Sequence, residues 1–357
     1  MFTKGNSVHD SLEQLVRSTT GTSGAKRGRW RTTLIGVAVA ALALTGCAGS
    51  NGSDAGEATT STSTQAANES AVEFPYTFQN ADGTTTEIPK QPQNIASTSV
   101  TVTGTLLSFG APVKASGAAG NGEFFPQWAD EAAKANVETL WSAGQVDLEA
   151  VIAADPDLIV VASTGNDSAI DNLADFQDIA PTIVVDYGGE SWKDLTLQLG
   201  EASGMTQEAQ ATIDQFNAHV AKVKEQIKIP EGETNIVSFN GPGDNNPIGR
   251  AGGPHAELLT ELGFTIEDPD PSWHNQAKLR NDFVWASYEN LTKLKADTTF
   301  ILSQDNEGAQ KFVKDPTLAN LPSVKNGQVY GLGKSSFRID YFSATEIVNG
   351  VLENFNA

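Results

Sequence analysis

Residues 147–163 read DLEAVIAADPDLIVVAS and residues 287–303 read SYENLTKLKADTTFILS, aligned without a gap at a constant offset of 140. Glu149 matches Glu289, Asp157 matches Asp297 and Ser163 matches Ser303. Three identities in 17 positions carry little alone, but the pattern beneath them is shared. Each copy opens on a residue type that caps helices, runs a short helix, turns at an Asp and enters an apolar strand. A helix–turn–strand unit that recurs once in a chain of 357 residues implies two related α/β halves.

Working outward, the same alternation surrounds both copies. Strands are expected at 95–97, 113–116, 158–162 and 182–186, with helices at 100–109, 147–154, 168–178 and 191–202. Near-continuous apolar runs such as Leu158 to Val161 suit a parallel sheet covered on both faces. Beyond residue 235, strands are expected at 236–239, 265–267, 298–302 and 328–332, with a last helix near 340–355. Between the halves, Ala209, Ile213, Phe216, Val220, Val223 and Ile227 recur at steps of four and three, which makes one helical stripe. The spacing predicts a helix from Thr206 to Lys228, whose 23 residues would measure about 34 Å. Gly204 precedes it and Pro230-Glu231-Gly232 ends it. The domain reading is therefore an N-terminal α/β lobe over 73–204, a bridging helix over 205–229 and a C-terminal α/β lobe over 230–357. One helix joining two lobes permits little hinge motion.

The start of the chain reads differently. Lys26, Arg27, Arg29 and Arg31 precede an apolar run of 11 residues, Leu34 to Leu44, and then Leu44-Thr45-Gly46-Cys47. The run is too short to span a bilayer, which takes about 20 apolar residues, but it suits a signal peptide. Small residues before the only cysteine resemble a lipobox, so residues 1–46 are expected to be cleaved and Cys47 lipidated. Residues 47–72, rich in Ala, Gly, Ser and Thr, read as a flexible tether. The expected location is the extracytoplasmic face of a cell membrane, held by the lipid.

Composition excludes several functions. The net charge of −21 argues against nucleic acid as a partner. The first 46 residues hold six Lys and Arg against two Asp and Glu, so the remainder carries −25. A single cysteine rules out an internal disulfide framework and a Cys-built zinc site. His219, His255 and His274 have no metal-ligand spacing, and His219 falls on the polar side of the long helix. No G-x-S-x-G elbow occurs. Residues 327–335, GQVYGLGKS, imitate a phosphate loop, but Gln328 stands where that motif needs Gly. They read as strand and turn. No catalytic residue and no metal site is expected.

Only three arginines follow residue 46: Arg250, Arg280 and Arg338. Arg250 sits in the Gly-rich loop 246–253, Arg280 in the polar loop 278–282, and Arg338 between a strand and the last helix. Such places are where α/β sheets hold ligands. A guanidinium offers five donors in a planar fork and keeps its charge, which suits anions with several oxygens. Surface ion pairs are the alternative, since carboxylates are plentiful. Trp273, Phe337 and Tyr341 lie near the same loops, with Phe124, Phe125 and Trp128 opposite; flat side chains could hold a flat ligand. Core positions are favoured for Trp128 and Phe337.

Residues 97–107 (STSVTVTGTLL), 111–117 (APVKASG), 162–169 (ASTGNDSA), 179–182 (IAPT) and 337–341 (FRIDY) resemble the substrate-binding proteins of ABC importers that carry iron–siderophore complexes, haem or cobalamin. Ser191-Trp192, residues 198–200 and residues 225–228 extend the resemblance from about Tyr76 to the C-terminus, closest to the ferric catecholate (enterobactin-type) branch. It implies a class III periplasmic-binding-protein fold, two Rossmann-like lobes joined by one long helix, acting as a monomer. It also implies a ferric siderophore as ligand, no cofactor, and an ABC permease as partner. Arg338 and Arg280 stand where that branch has arginines. The branch also has one in the first lobe, where residues 120–128 of this chain have none, and it places no counterpart for Arg250. In relatives a glutamate on each lobe docks to the permease, a role that falls here to Glu149 and Glu289. The iron is already six-coordinate in the siderophore, so the protein supplies cations rather than metal ligands. Haem, cobalamin or a hydroxamate siderophore on the same fold, and an extracytoplasmic hydrolase, are the competing readings.

Overall fold

The structure, a computed structural model, describes residues 72–357. The signal segment, Cys47 and nearly all of the expected tether lie outside the described residues. A hairpin opens the described chain, with strands Tyr76–Gln79 (β1) and Thr85–Ile88 (β2). Buried Asn80 fastens it: its carbonyl accepts from the Val184 amide at 2.9 Å, and its amide donates to Thr84 and Thr86.

Five parallel strands then form the first sheet: Ile95–Ser97 (β3), Val113–Ala118 (β4), Glu138–Ser142 (β5), Leu158–Ala162 (β6) and Thr182–Val185 (β7). Their spatial order is β5-β4-β3-β6-β7, so the chain reverses direction across the sheet between β3 and β6. Helices Val100–Ser108 (α1), Pro126–Ala135 (α2), Leu148–Ala153 (α3), Leu173–Gln177 (α4) and Trp192–Ser203 (α5) connect and cover the strands. Two buried cores result, one on each face. β5 and α2 have weak sequence signals: the first two residues of β5 are exposed, and α2 buries only Trp128 and Ala132.

The helix Thr206–Lys224 (α6) has 19 residues, about 29 Å. It stops short of the expected Lys228 because the chain turns to pair with its own C-terminus. Ile227 bridges to Asn356, and the Lys228 amide donates to the Phe355 carbonyl at 2.8 Å. The stripe divides between two cores. Ala209 packs into the first lobe, while Phe216, Val220 and Val223 pack into the second. On the polar side of α6, the His219 ring meets Asn349 at 2.8 Å.

The second sheet comprises Glu233–Val237 (β8), Asn245–Gly249 (β9), Thr265–Ile266 (β10), Phe283–Ser287 (β11), Thr298–Ile301 (β12) and Val329–Gly331 (β13). Its order is β11-β9-β8-β12-β13, with β10 also on β8. β9 runs antiparallel to both neighbours, so this sheet is mixed rather than parallel. The residues read as a Gly-rich loop thus include a strand with a partner on each side, disguised by Pro247 and Gly249. Helices Pro254–Leu262 (α7), Gln310–Val313 (α8), Pro322–Lys325 (α9) and Tyr341–Phe355 (α10) complete the lobe.

The repeated unit survives in altered form. Asp147 caps α3, accepting the Ala150 amide at 3.1 Å. Its counterpart Ser287 is the last rung of β11, paired opposite Asn245, and the helix after it is a 3-10 turn, Tyr288–Lys293. β6 and β12 then enter their sheets at matching points, beside β3 and β8.

Phe216 is 2 % exposed and meets Trp192 edge-on at 5.0 Å and Tyr341 at 6.4 Å. It ties α5, α6 and α10 together. Phe216→Ala is expected to lower the unfolding free energy by about 3–5 kcal/mol, measured by urea denaturation followed by circular dichroism.

Candidate functional site

The segment between β13 and α10 is held at two points, and Phe337 and Arg338 project between them. Ser336 is the first. Its hydroxyl accepts the Ser303 amide at 2.9 Å, and its carbonyl meets His255 Nε2 at 2.7 Å. A carbonyl only accepts, so Nε2 carries the proton. His255 is buried in α7, and burial pushes its imidazole down to about 4. The second point is the Arg338 carbonyl, which accepts the Ser343 hydroxyl at 2.6 Å. Ser343 and Asp340 form a capping box at the start of α10, so the helix terminus itself fixes the segment.

Phe337 is 37 % exposed, contrary to the expectation of a core position. It stacks in parallel on Phe283, with ring centroids 6.0 Å apart. Its preceding residue fixes it from below, and the ring that would have been buried is instead presented beside Arg338. The Arg338 guanidinium lies 5.9 Å from the Phe337 ring and 5.6 Å from the Tyr187 ring. Among the described residues it has no ion pair.

Arg280 and Arg250 are differently placed. Arg280 grips Asp282 with two donors, at 3.0 and 2.6 Å. Arg250 donates from Nη1 to the Arg280 carbonyl at 3.0 Å, and its Nε lies 3.9 Å from Asp268. That Nε is buried without a hydrogen-bond partner. The Arg250 amide also donates to the Asp282 carbonyl at 2.9 Å. Gly253 permits this close approach, since a Cβ there would meet the Asp282 backbone at 2.9–3.0 Å. Arg250 therefore acts on the loop that carries Arg280. Because Asp282 adjoins Phe283, one series of contacts runs from Arg250 and Arg280 through Phe283 and Phe337 to Arg338.

The first lobe meets this series at its own switch point between β3 and β6. Asp167 accepts the Ser99 hydroxyl at 2.6 Å, the Thr101 amide at 2.9 Å and the Tyr187 hydroxyl at 2.7 Å. Burial alone would raise this carboxyl. The hydrogen bonds outweigh it and hold the group below its usual range. Burial first, and then Asp167, pushes the Tyr187 phenol up to about 12. Sequence reasoning missed Asp167 and Tyr187. Their signal was position: each follows the carboxyl end of an apolar parallel strand.

Two aromatic candidates lie elsewhere. Tyr341 joins the cluster of Trp192, Phe216 and Phe342 beside α6. Trp273 packs on the core of the second lobe's other face, with Lys293 over its ring at 5.5 Å. Among the described residues the rings beneath an arginine are Tyr187 and Phe337 rather than these two. Trp128 is buried, as expected. Glu149 and Glu289 are exposed, one on each lobe. The Glu289 carboxyl is held below its usual range, mainly by a hydrogen bond from its own backbone amide and then by Ser287.

Comparison with known proteins decides the family. A sequence model of periplasmic binding proteins matches residues 95–335. The chain belongs to that family. It is a family of substrate-binding transport proteins, and the two lobes joined by α6 are its class III fold. The chain is 36 % identical over 290 residues to the ferric enterobactin-binding periplasmic protein FepB of Escherichia coli, covering 78 % of this chain and 90 % of that one. It is 23 % identical over 265 residues to the probable siderophore-binding lipoprotein YfiY of Bacillus subtilis, covering 71 % and 79 %. The crystal structure of holo-ViuP superposes with a TM-score of 0.77 at 48 % identity, over 80 % of this chain and 96 % of that one.

His255 makes acid stability diagnostic. Its folded value of about 4 lies below the unfolded 6.5, so the unfolded chain binds the extra proton between them. Stability is then full above pH 6.5 and falls as pH drops through 4, by about 3 kcal/mol in all. Urea unfolding as a function of pH should show this loss, and His255→Gln should flatten the slope across that window.

Proposed function

We propose that this protein is the extracytoplasmic solute-binding component of an ABC importer, and that it carries a ferric siderophore of the tris-catecholate type. The observation that carries the reading is Arg338: a half-buried guanidinium, free of any ion pair among the described residues and flanked by aromatic faces. The relative FepB is named for ferric enterobactin. A ferric tris-catecholate is an anion built from flat rings, and its own oxygens fill the iron coordination sphere. It asks a protein for cations and ring faces. Arg338 offers a charge that no carboxylate already occupies. Arg280 joins it by sharing its donors between Asp282 and the ligand, and Arg250 supports the Arg280 loop.

The strong negative charge of the chain does not oppose this. Beyond about 8 Å at physiological salt, exposed charges are largely screened, so local guanidinium groups outweigh distant carboxylates. The cargo is bound and released without conversion. Glu149 and Glu289 are the contacts with the permease. Cys47 carries the lipid that keeps the protein, as a monomer, at the membrane; the relative YfiY is named as a lipoprotein.

Arg338→Ala should weaken binding of ferric enterobactin about 10- to 100-fold, the range of one charge-assisted hydrogen bond. Quenching of tryptophan fluorescence measures it. A neutral ferric hydroxamate titrated in parallel should show no such dependence, and equal affinity of wild type and variant for the catecholate would sink the reading. In the native host, Cys47→Ser should abolish labelling by radioactive palmitate and release the protein from the membrane fraction.

A further inference from the structure

Arg338 belongs to the second lobe, yet the ring nearest its guanidinium comes from the first. The Tyr187 centroid is 5.6 Å away, against 5.9 Å for the adjoining Phe337. The first lobe has no arginine to offer, for residues 73–204 contain none. It offers a fixed aromatic face in its place.

Tyr187 is held for this. Its hydroxyl donates to Asp167 at 2.7 Å, and Asp167 is itself tied to Ser99 and Thr101 at the start of α1. Gly165, at φ +105°, leaves the space that the hydroxyl fills; a Cβ there would overlap it. With its proton committed to Asp167, the phenol presents only its face toward Arg338. Because burial and Asp167 push it up to about 12, no phenolate forms near neutrality to repel an anion or to compete for ferric iron.

We propose that Tyr187, aimed by Asp167, is the positioning residue through which the first lobe acts on the anion site: its ring holds the Arg338 guanidinium between the lobes, ready for the ligand. A cation over an aromatic face is attracted by the ring quadrupole, and more strongly where water is excluded. The contact also links ligand capture to the approach of the lobes, since its two halves come from different sheets. The inference rests on the reading of Arg338 as the ligand's cation.

The test has two arms. The full chain has seven arginines, so the Nε–Hε spectrum of protein labelled with 15N-arginine is short, and Arg338→Lys identifies its signal by loss. In the ligand-free protein, Tyr187→Leu should move the Arg338 signal and leave those of Arg250 and Arg280 in place, while Tyr187→Phe, which keeps the ring but loses the hydroxyl bond to Asp167, should move it in the same direction by less. An unmoved Arg338 signal in Tyr187→Leu overturns the proposal. In the second arm, Tyr187→Leu should weaken ferric enterobactin binding about 2- to 30-fold and have no further effect in an Arg338→Ala background. An equal loss in both backgrounds would mean a merely structural role and also overturns it. If wild type fails to bind ferric enterobactin, the proposed cargo falls, and the ligand-free spectrum still decides whether Tyr187 positions Arg338.

Discussion

One helical stripe holds the described chain together. Ala209 at one end of α6 is buried in the first lobe's core, and Phe216, Val220 and Val223 are buried in the second's. Neither lobe can turn far about the other without exposing part of that stripe. Exposure costs roughly 25 cal/mol for each Å² of apolar surface, and Trp192 and Tyr341 both pack on the same helix at Phe216. A second inter-lobe contact reinforces it: Gln127 on α2 donates to Asp340, the cap of α10, at 3.1 Å. Burial raises the Asp340 carboxyl, and the capping bonds from Ser343 work against that rise. The ends of the strands on both sheets are thus presented to each other in a nearly fixed relation.

Within that frame, the three arginines differ by what neutralises them. Arg280 has a bidentate carboxylate two residues away, and Arg250 lies beside Asp268 and donates from Nη1 to the neighbouring loop. Arg338 has ring faces instead. Among the described residues Arg338 has no ion pair although carboxylates are abundant, and its backbone is clamped at Ser336 and by Ser343. A family of proteins that must bind and then surrender its cargo gains from such an arrangement: the cation is placed in advance, so little ordering is left for the ligand to impose.

Much of the fold was legible in the chain. β3 and β6 fall on the predicted residues, and α1, α5 and α10 fall within one residue at each end, because apolar runs and caps are local signals. β9 was illegible because Pro247 and Gly249 speak against a strand; only its partners on both sides make it one. β5 was missed because an edge strand needs few apolar residues. Of the site, the arginines could be singled out by scarcity alone. Tyr187 and Asp167 carry only a signal of position after β7 and β6, which marks a ligand-facing loop but does not tell a bridging ring and its anchor from ordinary loop residues.

The sequence by itself determined the two halves, the stripe that joins them and the scarcity of cations after residue 46, since each is a matter of spacing or count along the chain. Tertiary structure alone decided which of the three arginines is left without an ion pair among the described residues. Arg280 meets Asp282 within its own loop, whereas the surroundings of Arg338 are assembled from residues 151 positions apart, Tyr187 and Arg338. Whether a guanidinium finds a carboxylate or a ring depends on which strand ends the sheets bring face to face, and that is fixed by packing between the lobes.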